Sequence, residues 1–228
     1  ITTLWGGQIR LTTPMLFALS FVAMFTLGGL SGIMHSSPPI DSQHQDSYFV
    51  VAHFHYVLYG GAVMALFGGI YFWFPKVTGR KMNDVLGKVH FFLSFIFMNG
   101  VFMPMFLMGM AGVSRRLYDP TQYAHALPTQ PLNVFISASA ACLGLAQIPF
   151  IINFFGSLFK GKKVDDNPWQ ATTLEWSTPT PPPHGNFLKE PVVYRDPYEY
   201  SVPGQKNDFW PQGMPAEGGS ASDGKESR

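Results

Sequence analysis

Four apolar stretches, about residues 13–34, 47–74, 89–111 and 133–159, constrain this chain more than any other feature. None contains a Lys, Arg, Asp or Glu, and each reaches the roughly 20 residues that an α-helix needs to cross the hydrocarbon core of a bilayer. A backbone in lipid has no water to bond, so an open segment of this length must satisfy itself as a helix. Four transmembrane helices are therefore expected. Gly28-Gly29, Gly60-Gly61 and Gly68-Gly69 would let them approach closely, and Pro104 and Pro149 are better tolerated in membrane helices than in soluble ones. The 13% of charged residues fits this reading, against about a quarter in soluble domains. With 15 Lys and Arg against 14 Asp and Glu there is no basic surface to neutralise phosphates, which excludes a nucleic-acid partner. The single cysteine, Cys142, excludes disulfide scaffolds and multi-thiolate metal sites.

The chain changes character near Lys160. Residues before it hold 7 Lys and Arg with 4 Asp and Glu, whereas the shorter remainder holds 8 and 10 together with 10 of the 19 prolines. Two regions follow: a membrane domain over residues 1–159 and an extended Pro-rich tail over 160–228, disordered near its Gly/Ser-rich end at Gly218 to Ser227. Lys76, Arg80, Lys81 and Lys88 lie between the second and third stretches, and Lys160, Lys162 and Lys163 follow the fourth, so both places are expected to face the cytoplasm. The segment from His35 to Asp46 has no Lys or Arg and is expected outside. Arg115 and Arg116 break the pattern and require a local anionic partner. The chain opens on Ile1 without a signal peptide, as expected of a piece of something longer.

The second stretch carries the chemistry, in the run Asp46-Ser47-Tyr48-Phe49-Val50-Val51-Ala52-His53-Phe54-His55-Tyr56-Val57-Leu58. Residues two apart on a helix are separated by about 200° around the axis, so His53 and His55 point to opposite sides and do not share one metal. A zinc site on one helix wants histidines four apart. Opposite faces suit two separate centres, and imidazole is a common axial ligand of haem iron in apolar surroundings. A lone intramembrane histidine is otherwise a packing residue bonded to a neighbouring helix.

This run resembles the tenth-helix signature of subunit I of the haem-copper oxidases, the cytochrome c and quinol oxidases. Thr26-Leu27-Gly28-Gly29-Leu30-Ser31-Gly32 is similar to the family's ninth helix, Gly112-Val113-Ser114-Arg115-Arg116 to the loop before its last helix, and Asn167-Pro168-Trp169-Gln170-Ala171-Thr172-Thr173-Leu174-Glu175-Trp176 with Pro181-Pro182-Pro183 to its tail. The resemblance implies an all-α membrane protein whose four helices match the last four of about twelve in the subunit I bundle. It also implies that His53 is the proximal ligand of the high-spin, oxygen-binding haem and His55 an axial ligand of the low-spin haem. Arg115 and Arg116 would hydrogen-bond the haem propionates, Asp41 would be a propionate-associated acid, and Asp46 a ligand of a non-redox magnesium. Gln45 stands where the family commonly has the histidine before that aspartate, with His44 one residue earlier. A Gly28 or Gly29 carbonyl could accept the Nδ1 hydrogen of His53. His35, His90, His125 and His184 have no such context and are read as structural or surface residues.

The implied activity is four-electron reduction of oxygen to water, with electrons from cytochrome c or quinol and coupled proton translocation. The implied cofactors are two haems, of the A type, and a copper whose ligands lie on earlier helices absent from this chain. The implied partners are those helices, subunits II and III, and the bilayer, in a bacterial-type inner membrane. Alone, the chain would be inactive. A non-catalytic haem-binding electron-transfer subunit is the alternative, and a transporter with packing histidines a third reading that leaves the arginine pair unexplained.

Overall fold

A computed structural model describes residues 1–7, 9–196, 199, 202 and 210–215. Among them the chain is mainly helical from Thr13 to Lys160. Helix α1, Thr13–His35, opens on Pro14, whose fixed φ suits a first turn and whose missing N–H would go unbonded there anyway. A short α2, Pro38–His44, follows, and Asp46 at φ 57° turns the chain into the left-handed region before α3, Tyr48–Val57. The Ser47 hydroxyl caps α3 by accepting from Phe49 N–H at 3.1 Å. A π-helical turn, Leu58–Val63, then passes the chain into α4, Met64–Thr78. After strand β1, Arg80–Lys81, come α5, Asp84–Met110, capped by the Asn83 side chain, and α6, Gln130–Leu145. Helix α7, Ile148–Lys160, leads to β2, Lys162–Lys163, which pairs antiparallel with β1.

Four helical runs are long and apolar enough to cross a membrane: Thr13–His35, Tyr48–Thr78, Asp84–Met110 and Leu127–Lys160. They correspond to the four expected stretches, with three differences. The second continues past residue 74 through Pro75, and the third begins at Asp84, five residues early, because Asn83 and Asp84 supply the cap and first turn that hydropathy cannot register. The fourth divides between Leu145 and Ile148. Pro149 has no N–H for the Leu145 carbonyl, and the turn tightens as Gln147 N–H bonds Gly144 O at 3.1 Å. Pro104 leaves α5 continuous. The π turn had no signature in hydropathy, since its Gly60 and Gly61 suit an ordinary helix contact equally well.

The chain divides into two compact units, Ile1–Phe72 with Met82–Gly156, and Trp73–Lys81 with the residues from Ser157 on. In the first, α3 packs between α1 and α5, and α6 packs on α5. Its core holds Met24, Tyr56, Met98, Val101, Phe102 and Met108. Close approach sets the spacing: a Cβ on Gly109 would overlap the Phe49 backbone, and one on Gly28 would sit 3.0 Å from Val57 N. Polar side chains inside the bundle are bonded to one another, as lipid requires. Tyr56 donates to Asn99 Oδ1 at 2.7 Å, and the fully buried His90 contacts the Tyr71 hydroxyl and Gln147 Oε1, each at 3.2 Å.

In the second unit the tail has little regular structure, yet it is organised around two side chains of α4. The Lys76 ammonium, 3% exposed, donates to Asp166 O at 2.8 Å, Thr178 O at 2.7 Å and Thr180 Oγ1 at 3.2 Å. Trp73 stacks on the buried Trp176 with centroids 5.3 Å apart. Lys76, expected as a loop charge, is thus a buried tether in the last turns of α4. The segment Gly218 to Ser227 lies outside the described residues.

Two outcomes follow. Gly109→Ala is expected to cost about 2–3 kcal/mol, because the overlapped atoms are backbone and cannot rotate away, whereas Gly144→Ala, which meets nothing within 4 Å, is near neutral; thermal unfolding in detergent compares them. Lys76→Met orphans the buried Thr178 carbonyl and leaves the part-buried Asp166 carbonyl without its donor, and is expected to cost about 2 kcal/mol locally, read as faster amide exchange over residues 166–187.

Candidate functional site

The buried stripe of α3 is Phe49, Ala52 and Tyr56. His53 follows Ala52 by about 100° and His55 precedes Tyr56 by the same angle, so the two rings flank that stripe on opposite sides. Their contacts bear this out. His53 faces α1, where its Nδ1 lies 2.8 Å from Ser31 Oγ and 3.0 Å from Gly28 O. The His55 ring lies against α5, stacked on Phe102 at 4.2 Å between centroids and 14° between planes. Its Nδ1 is 2.8 Å from Val51 O, one turn back on its own helix.

These partners decide the tautomers. A carbonyl oxygen can only accept, so the nitrogen facing it carries the proton in both rings. The Ser31 hydroxyl donates to Gly28 O at 2.7 Å, which leaves its oxygen free to accept from His53 as well. With both protons on Nδ1, Nε2 keeps its lone pair on each ring, and among the described residues neither Nε2 has a hydrogen-bond partner. This is the state in which imidazole ligates a metal, with the second nitrogen fixing ring orientation. Both rings are half-buried among aromatic side chains, and they diverge. Among the described residues no three His, Cys, Asp or Glu converge on a cation. The arrangement therefore fits two axial imidazole ligands of two separate metal centres bounded by apolar surfaces, as iron porphyrins are.

At the head of α3 the chain pairs with the loop after α5. Tyr48 N–H bonds Val113 O at 3.0 Å and Arg115 N–H bonds Asp46 O at 2.8 Å. The Arg115 guanidinium grips the Asp46 carboxylate through Nη2 and through Nε, the latter at 2.7 Å. Asp46 is thus an anionic partner of Arg115, and both contacts go to its Oδ1. Arg116 sits at φ 67° and is exposed, with no ion pair among the described residues. Asp41 is 3.5 Å from His35 Nδ1.

The structure brings His53, Gly28 and His35 together, places His55 across the helix, and sets Asp46 and Arg115 about 10 Å along the axis from His53. Gly28 fills two needs, as the acceptor for His53 and as the point where α1 touches α3. Gly29 meets nothing within 4 Å. Gly32 also lies against His53, since a Cβ there would be 3.0 Å from Cε1. Sequence reasoning missed Ser31, whose spacing of three from Gly28 puts both on one face of α1, and it left His35 among structural residues, although its ring is 5.2 Å from His53. His90 is held in an aromatic cage with Phe17, Phe67 and Phe150, consistent with packing.

Residues 1–142 match the family described as "Cytochrome C and Quinol oxidase polypeptide I". The chain is 52% identical over 202 residues to cytochrome c oxidase subunit 1 of Synechocystis sp., covering 88% of this chain and 35% of that protein. It is 49% identical to the alternative cytochrome c oxidase subunit 1 of Bradyrhizobium diazoefficiens, covering 94% and 37%. The chain thus spans about a third of the length of the curated relatives it matches. Among solved structures it resembles a heme-copper terminal oxidase dimer with a TM-score of 0.59 at 15% identity, over 66% of this chain and 27% of that one, a likeness of fold. Helices, histidine run and family match agree, and the chain belongs to the cytochrome c and quinol oxidase subunit I family.

Proposed function

We propose that this chain supplies the haem-ligating last four helices of the catalytic subunit of a respiratory oxidase that reduces oxygen to water with electrons from cytochrome c. The observation that carries this is the pair of diverging imidazoles, each with Nδ1 held by a carbonyl and Nε2 open. In this reading His53 holds the iron of the high-spin haem and His55 that of the low-spin haem. The haems supply one-electron transfer and oxygen binding, which no side chain offers. His53 keeps its ring aimed by Gly28 and Ser31, whose hydrogen bonds strengthen it as a donor to iron. His55 is aimed by Val51 and braced by Phe102. Arg115 and Arg116 neutralise propionates, with Asp46 holding Arg115 in place.

Copper and the second ligand of the low-spin iron fall to helices outside this chain, the other subunits being II and III. Haem A is the expected type. Magnesium at Asp46 would fall to Oδ2, since both Arg115 contacts go to Oδ1, with the Gln45 side-chain oxygen as a neighbouring donor. Cytochrome c is favoured over quinol because the relatives named above are cytochrome c oxidases. The distribution of Lys and Arg supports an orientation with the tail in the cytoplasm, and the bacterial relatives support an inner membrane.

In the assembled oxidase, His53→Ala is expected to abolish carbon monoxide binding while leaving the low-spin haem spectrum, and His55→Ala to remove the low-spin signal. Reduced-minus-oxidised spectra with and without carbon monoxide test both, and two unchanged spectra end the assignment. Ser31→Ala removes one of two partners of the His53 ring and is expected to slow turnover about tenfold with both haems retained, measured as oxygen consumption per haem.

A further inference from the structure

The strands Arg80–Lys81 and Lys162–Lys163 put four cations on one two-stranded ladder. Arg80 stands opposite Lys163, and Lys81 opposite Lys162. Side chains alternate along a strand, so each face of the ladder presents one pair of like charges with Cβ atoms about 5 Å apart. Such pairs repel, and a two-residue ladder has few backbone hydrogen bonds to set against that. Nothing described here relieves the repulsion with an acid. Among the described residues none of the four makes an ion pair. Arg80 Nη1 donates to Gly161 O at 2.8 Å, and Lys81 Nζ lies 4.6 Å from the centre of the Trp169 ring. The nearest acids in sequence are Asp84, which pairs with Lys88, and Asp165 and Asp166, which are exposed; none forms an ion pair with the four cations.

Covalent continuity fixes the level of this ladder. Strand β1 starts two residues after α4 ends at Thr78, and β2 starts two residues after α7 ends at Lys160, itself a further cation. Both helices close membrane-crossing runs, so both strands leave the hydrocarbon at the depth where headgroup phosphates lie. Trp169 beside Lys81 is the kind of aromatic that settles at this boundary.

We propose that this ladder binds the phosphodiester headgroups of anionic phospholipids, one on each face, each bridging the repulsive cross-strand pair on its own face. An anion between Arg80 and Lys163 accepts from both, and the guanidinium offers two parallel N–H donors to it. The membrane thereby contributes to joining the end of α4 to the start of the tail.

The test is native mass spectrometry of the delipidated oxidase in neutral detergent, titrated separately with phosphatidylglycerol, phosphatidylcholine and inorganic phosphate. Phosphatidylglycerol is expected to bind at least about tenfold more tightly than phosphatidylcholine, and this preference to disappear in Arg80→Gln/Lys81→Gln/Lys162→Gln/Lys163→Gln. It is expected to survive in Lys88→Gln, a cation already paired with Asp84 at 2.8 Å, and in a variant that keeps charge by Lys81→Arg, Lys162→Arg and Lys163→Arg. Should the fourfold variant fail to assemble, Arg80→Gln/Lys163→Gln and Lys81→Gln/Lys162→Gln decide in the same way. An undiminished preference in the neutralised variants overturns the proposal. So does displacement of the lipid by inorganic phosphate at equal concentration, which would make the ladder a site for free phosphate.

Discussion

A backbone carbonyl cannot donate, and two such groups, Gly28 O and Val51 O, face the Nδ1 atoms of His53 and His55. This one constraint places both protons, leaves both Nε2 lone pairs open, and fixes the direction in which each ring points. The geometry around it serves the same end. Helix α1 must come close enough for its carbonyl to reach a side chain of α3, and it does so because Gly28 has no Cβ to hold Val57 away. On the other side α5 comes close because Gly109 lies under Phe49, which brings Phe102 flat against His55. Helix spacing and ligand chemistry are therefore the same problem in this bundle.

The mouth of the site depends on a second pairing. Asp46 and Arg116 both adopt left-handed backbone conformations, and the short bridge between Ser47 and Ser114 holds their loops side by side. Arg115 meets Asp46 within that frame. The guanidinium is thereby held at the head of α3, through one oxygen of the Asp46 carboxylate.

Away from the site, the tail illustrates how charge and aromatic surface can organise a segment that has almost no secondary structure. Lys76 has no carboxylate within ion-pair distance among the described residues, yet three oxygens receive its protons, and the Trp176 ring lies 5.3 Å from its nitrogen. A buried ammonium surrounded this way holds residues about 90 to 104 positions apart in sequence, a contact no local pattern announces.

Much of this protein could be read before any fold was known. Hydropathy and length are local properties, so the four membrane-crossing runs, their approximate ends and the opposite directions of His53 and His55 follow from helix periodicity alone. Signature residues likewise carried the family. What periodicity cannot supply is which helix lies beside which. The partnership of Ser31 and Gly28 with His53, the stacking of Phe102 on His55, and the pairing of Asp46 with Arg115 join residues 22 to 69 positions apart, and only packing brings them together. The break at Pro149 and the π turn at Gly60-Gly61 were likewise decided in three dimensions, because proline was compatible with both a continuous and a divided helix and glycine with both an α and a π turn. Sequence determined what each segment could be in lipid; tertiary contact decided which nitrogen, carbonyl or charge each side chain would meet.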